Sequence, residues 1–133
     1  MSFAYTYLSM AAINTILCIH RDPDQLQLLR EKGYGLVTAT NGIEGMRLLL
    51  SRSVDAVVLE YPHRALGGAG VVDEIRRVRP RVPIVMVADP QKLSQEALKS
   101  VDTLVAKSDG AHFLWAAVHF LLTIKPDSGS VRC

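Results

Sequence analysis

Six side chains in this 133-residue chain have the types that do polar chemistry and stand directly behind apolar runs. His20, Arg21 and Asp22 follow one run, Glu60 and His63 a second, and Lys107 a third. Carboxylates at Asp22 and Glu60 could hold a hard cation or attack phosphorus. Two imidazoles with a carboxylate (His20, His63, Glu60) suit a transition metal such as Zn²⁺ better than Mg²⁺. Arg21 and Lys107 could hold a small anion. No metal-binding sequence spacing accompanies the histidines, so exposed loop residues of no special role are the simpler expectation for them. Other signatures are missing. Gly67-Gly68-Ala69-Gly70 fits neither the phosphate-loop nor the dinucleotide spacing, and no Gly-x-Ser-x-Gly occurs. Cys18 lies inside an apolar run and Cys133 is the last residue, so neither stands where a nucleophile is expected. The expectation is a protein that is not an enzyme and takes no cofactor and no metal.

The elements that position these residues are legible in the apolar pattern. Ile13–Ile19 reads as a buried strand, Gln25–Lys32 as a helix closed by Gly33, and Leu36–Ala39 as a second strand. Asn41-Gly42 opens a helix whose apolar face is Ile43, Met46, Leu49 and Leu50; Ala56–Leu59 is a third strand. Val71, Val72, Ile75 and Val78 form one stripe of a third helix, and Pro83–Val87 is a strand opened by proline. Ser94–Ser100 is a short helix, Leu104–Ala106 a fifth strand, and Ser108 is expected to cap a last helix running to about Ile124. Strands that are apolar on both faces and alternate with helices require a parallel sheet covered on both sides. Right-handed crossovers then give a doubly wound α/β sandwich, with function beyond the carboxyl ends of the strands. Residues 1–12 read as an extension, 13–126 as the domain and 127–133 as a polar tail.

Composition narrows the class further. At 49% apolar and 21% charged the chain is globular, and fifteen Lys and Arg against thirteen Asp and Glu leave only +2, too little for a domain built on nucleic-acid contacts. Two cysteines exclude a disulfide framework, which makes a reducing, cytoplasmic setting the expectation. The longest apolar stretch, Ala111–Ile124, falls short of the roughly 20 residues of a membrane span.

In its order of fragments the chain resembles the receiver domain of two-component response regulators, of the CheY-like type. The carriers are Ile16-Leu17-Cys18-Ile19-His20-Arg21-Asp22-Pro23, Gly33-Tyr34, Thr38-Ala39-Thr40-Asn41-Gly42, Val54–Tyr61, Pro83–Ala88 and Lys107. The resemblance implies a (βα)5 flavodoxin-like sheet of order 2-1-3-4-5. It also implies a bacterial phosphorelay role and a pocket made of an acidic pair, a phosphoacceptor aspartate, a hydroxyl and a lysine. Lys107 supplies the lysine. The acidic pair is replaced by His20 and Arg21 beside Asp22, the phosphoacceptor by Glu60, the hydroxyl by Val87 and the aromatic switch residue by Leu104. An imidazole and a guanidinium remove the oxygen ligands Mg²⁺ needs, and the transferring phosphoryl charge then goes unneutralised. Glu60 is one methylene too long and is expected instead to reach Lys107 and Arg21, between which a carboxylate stays ionised. The expectation is an atypical, degenerate receiver acting by protein–protein contact. Its alternatives are a phosphoacceptor using Glu60 with Asp22 as the remaining metal ligand, and an anion sensor at the same pocket.

Two surfaces remain. Arg76, Arg77, Arg79 and Arg81 crowd one helix end, where cations complement the helix dipole; a nucleic-acid patch is the less economical reading. The last helix is apolar nearly all round. Leu114, Ala117, Leu121 and Ile124 are expected to face the sheet and Phe113, Trp115, Ala116 and Phe120 to face outward. With Ala97, Leu98 and Leu104, and by resemblance to the usual output face, Phe113, Trp115 and Phe120 are expected to form a protein-contact surface and a homodimer. The alternative is that Phe3, Tyr5, Tyr7 and Leu8 fold back over it.

Overall fold

The computed structural model describes residues 14–20, 23–61, 68–93 and 95–124; the expected extension and tail lie outside them. Five parallel strands are ordered β2-β1-β3-β4-β5: β1 Thr15–Ile19, β2 Gly35–Ala39, β3 Ala56–Tyr61, β4 Ile84–Ala88 and β5 Thr103–Ala106. The helices are α1 Pro23–Glu31, α2 Gly42–Ser51, α3 Gly68–Val78, α4 Gln95–Leu98 and α5 Ala111–Ile124. The expected order of the sheet is the observed one.

Successive strand residues point to opposite faces, so the apolar runs divide between two cores. Leu17, Ile19, Val57, Leu59, Ile84 and Met86 pack with Leu49, Val71, Val72 and Ile75 of α2 and α3. Ile16, Cys18, Val58, Val85, Val87 and Val105 pack with Leu26, Leu29, Leu114, Val118 and Leu121 of α1 and α5. Burial pushes the Cys18 thiol up to about 12 from 9.0. Its neutral form is therefore the one that folding favours, and stability is expected to fall as pH rises from about 9 towards 12, by up to about 1.4 kcal/mol per pH unit. Urea midpoints of the wild type and Cys18→Ala should diverge in that window; parallel curves would contradict the assignment.

Two aspartates tie the strand starts together. Asp55 Oδ2 accepts the Thr15 N–H at 2.7 Å, and Asp102 Oδ2 accepts the Ile84 N–H at 2.8 Å. Arg76 joins the second tie. It donates to Asp102 Oδ2 (2.7 Å) and to the carbonyls of Val82 (2.6 Å), Ser100 (2.9 Å) and Pro80 (3.1 Å). Arg79 donates to the Leu49 carbonyl at 2.9 Å, near the end of α2, and Arg77 pairs with Glu74 on its own helix. Three of the four clustered arginines thus hold the fold or its surface.

The helix ends follow from sequence in part. Asn41 caps α2 by accepting the Glu44 N–H at 2.9 Å, and Gly33, with φ 97°, takes the left-handed turn that ends α1. Ser108 is not the cap of α5. It lies in a 3₁₀ turn, Lys107–Asp109, and the helix begins after Gly110.

Two apolar faces differ from expectation. Ile43 and Leu50 are 70% and 66% exposed, while Gly42, Gly45 and Leu49 are buried. The cause is the close approach of α2 to β1: a Cβ at Gly45 would stand 2.4 Å from Ile19 Cδ1. The helix packs on its glycine side with Leu49 inward, and Ile43 and Leu50 turn to solvent. On α5, Ile124 points out, contrary to the sequence expectation, and Val118 joins Leu114, Ala117 and Leu121 against the sheet.

Candidate functional site

The carboxyl ends of β1, β3 and β5 converge on one crevice. Glu60 is the fifth residue of β3 and pairs with Val87 across the ladder to β4. Strand β1 sits on the other side of β3, which brings His20, the residue after Ile19, beside Glu60. His20 Nδ1 lies 3.9 Å from Glu60 Oε1, and the His20 side chain is almost wholly buried. Lys107 follows β5, and its Nζ reaches Glu60 Oε2 at 3.1 Å. The Glu60 carboxylate is thus held between an imidazole and an ammonium. The contact to Lys107 is charge-assisted and short enough to be a hydrogen bond. Beside it, Asp89, Pro90, Lys107 and Ser108 line an open cleft of about 210 Å³.

Of the expected pocket residues the structure brings His20, Glu60 and Lys107 together. Arg21, Asp22 and His63 lie outside the described residues. Val87 is wholly buried among Val85, Val105 and Val58 under α5, so it backs the crevice without lining it. Leu104 is half-buried against the other core and belongs to packing. No group of three or more His, Cys, Asp or Glu among the described residues could hold a metal ion. Mg²⁺ is held by about six oxygens in octahedral array, and among the described residues the Glu60 carboxylate is paired with a lysine and flanked by an imidazole nitrogen.

The last helix is only partly what its sequence suggested. Phe113, Phe120 and Ile124 are 55%, 58% and 58% exposed, and Leu98 is more marginally so. The Ala97 side chain lies outside the described residues. Trp115 is elsewhere. It is half-buried on the flank of α5 that meets α1, with Lys32 Nζ 4.4 Å above its ring and the His119 ring 5.8 Å away. The Tyr34 hydroxyl closes the same seam at 3.3 Å from His119 Nδ1, and burial pushes the phenol's pKa up while Trp115 opposes the shift. Trp115 thus packs in part within the α1–α5 seam. Sequence spacing alone could not place it, because its partner Lys32 is far away in the chain.

No family model matches the sequence. The chain is 33% identical over 76 residues to the transcriptional regulatory protein GlrR of Escherichia coli, covering 54% of this chain and 17% of that protein. It is also 36% identical over 55 residues to the probable transcriptional regulator ycf27 of Cyanidium caldarium, covering 41% of this chain and 22% of that protein. The chain thus spans less than a quarter of the length of these curated relatives. Among solved structures, the response regulator TrrA of Thermotoga maritima, in complex with Mg²⁺–BeF, superposes with a TM-score of 0.74 at 28% identity, covering 83% of this chain and all of that one. A CheY-like receiver domain from Methanospirillum hungatei superposes with a TM-score of 0.78 over 86% of this chain and 97% of its own; at 17% identity it shows the fold alone. No helix among the described residues is long and apolar enough to cross a membrane. Topology, superposition and sequence likeness agree on a domain of the response regulator receiver type.

Proposed function

We propose that this receiver-type domain works in two-component signalling by constitutive protein–protein contact, with Glu60 in the phosphoacceptor place and Lys107 bound to it. The observation that carries the reading is the 3.1 Å contact between Lys107 Nζ and Glu60 Oε2. The cation that would receive a transferred phosphoryl group instead neutralises a resident carboxylate. That carboxylate is then a poorer nucleophile, and no divalent ion offsets the charge of an incoming donor. Glu60 and Lys107 join the ends of β3 and β5, so the crevice keeps one arrangement without a phosphorylation cycle. The domain therefore performs no phosphotransfer of its own. Its partners are proteins of a signalling pathway, a second copy of the chain among them; one solved relative, TrrA, is seen in complex with the histidine kinase ThkA.

Intact-mass spectrometry after incubation with acetyl phosphate and Mg²⁺ tests this directly. The expected outcome is no added phosphoryl group on the folded wild type or on Glu60→Gln. A phosphoryl adduct on the wild type that disappears in Glu60→Gln would overturn the reading in favour of a working glutamyl acceptor. Thermal stabilisation by inorganic phosphate, lost in Lys107→Ala, would favour an anion sensor.

A further inference from the structure

We infer that residues 3–8 of this chain add to the outer edge of β2 as a sixth, antiparallel strand. β2 ends the sheet, and among the described residues nothing pairs with its far side. The Gly35 N–H donates inward to the Asn14 carbonyl at 2.8 Å, so by alternation Leu36 and Thr38 turn their backbone N–H and C=O outward. Exposed edges are usually guarded by a proline or a charge, and Gly35-Leu36-Val37-Thr38-Ala39 holds neither. The opposite edge, β5, is one residue shorter and stands between Asp102 and Lys107. Apolar cover beside β2 is incomplete on both faces: Tyr34 and Leu36 are half-buried on one, Val37 and Leu48 on the other.

Connectivity, composition and side-chain size make residues 3–8 the fitting occupant. β1 and β2 are parallel and begin at one end of the sheet, and the chain enters β1 through Asn14, beside Gly35. A preceding segment laid along β2 by a short turn must run against it, with residues 9–13 crossing beneath one strand. That is two strand spacings, roughly 10 Å, and five residues reach up to about 17 Å. The exposed flank of α5, the other seat considered for this segment, lies on the β5 side of the sheet, three strand positions from β1. Phe3-Ala4-Tyr5-Thr6-Tyr7-Leu8 is rich in strand formers, and residues 1–13 carry no charged side chain. Size sets the register. With Tyr7 opposite Leu36 and Tyr5 opposite Thr38, both tyrosines fall on the open face, where Leu36 is half-buried and Thr38 exposed. Ala4 and Thr6 then fall on the face of Val37 and buried Ala39, where a Cβ at Gly45 of α2 would stand 3.9 Å from Ala39 Cβ and small side chains are what fits. A strand tethered this closely meets the edge at an effective concentration on the order of millimolar, which favours it over a separate partner.

Amide hydrogen exchange read by NMR on the full chain tests the strand, with Tyr7→Pro alongside, which removes the N–H that faces the Leu36 carbonyl. The Leu36 and Thr38 amides are expected to exchange about tenfold or more slowly in the wild type than in Tyr7→Pro. Circular dichroism checks that Tyr7→Pro keeps its sheet and helices. In a Cys18→Ala, Cys133→Ser background, Thr6→Cys with Val37→Cys should form a disulfide on mild oxidation, whereas Thr6→Cys with Thr38→Cys, on opposite faces, should not. Fast exchange at Leu36 and Thr38 in the wild type would overturn the added strand. Protection that survives Tyr7→Pro would give the edge to another segment. Protection that falls on dilution, together with a change in sedimentation velocity, would give it to a second copy. Either result would overturn the assignment of residues 3–8.

Discussion

Replacing Arg76 by alanine is expected to cost about 3–5 kcal/mol of folding stability, the range for removing one partner of a buried, hydrogen-bonded ion pair. The guanidinium of Arg76 ties the end of α3 to the Pro80 and Val82 carbonyls before β4, to Ser100, and to Asp102 before β5. Its removal takes a donor from the Asp102 carboxylate and from three carbonyls in a largely part-buried setting. Arg76→Lys should recover only a small part, since an ammonium cannot span four acceptors in a plane. Arg77→Ala, one residue on, removes only an exposed pair with Glu74 and should change stability by under about 0.5 kcal/mol. Urea denaturation of the three variants is the measurement. A loss below about 1 kcal/mol for Arg76→Ala would show that the clamp is not structural.

A Gly45→Val substitution is expected to cost about 2–3 kcal/mol through overpacking, even though valine outranks glycine in helix propensity. A Cβ at this position meets Ile19 Cδ1 at 2.4 Å and Cγ1 at 2.8 Å, so either the isoleucine changes rotamer or α2 lifts from the sheet. The milder Gly45→Ala should cost about 1 kcal/mol, overpacking offsetting the gain in propensity. Adding Ile19→Val, which removes Cδ1, should return it close to the Ile19→Val background. The resulting coupling of roughly 1–2 kcal/mol is what a double-mutant cycle reads for residues in contact. Additive effects would mean that the space is not limiting. The consequence reaches the crevice, because His20 directly follows Ile19 and lies beside Glu60.

How far the sequence carries can be judged from individual residues. Strands β1, β3 and β4 announce themselves because both faces are buried, leaving unbroken apolar runs. The meeting of Glu60 with Lys107 was equally legible, since strand order alone puts their strand ends on one side of the sheet. Features set by a close approach between elements were not. Ile43 and Leu50 look like core by periodicity, yet Gly45 turns them outward because a glycine's contribution is the absence of a side chain. The contacts of Trp115 with Lys32 and His119 were not legible either, since Lys32 is far away in the chain. Ile124 reads as sheet-facing but ends the helix, past the sheet-facing Leu121, and points out. His20 reads as an exposed loop histidine and is in fact one of two buried polar residues in the described core.

The position of Trp115 has an optical consequence. It is the single tryptophan of the chain, so intrinsic fluorescence reports one place, the seam between the first and last helices. Emission should move to longer wavelength when that seam opens on unfolding and should stay unchanged when Phe120 on the opposite flank of α5 is altered. One cuvette therefore follows the helix seam while sedimentation follows association, and the two signals separate without any added label.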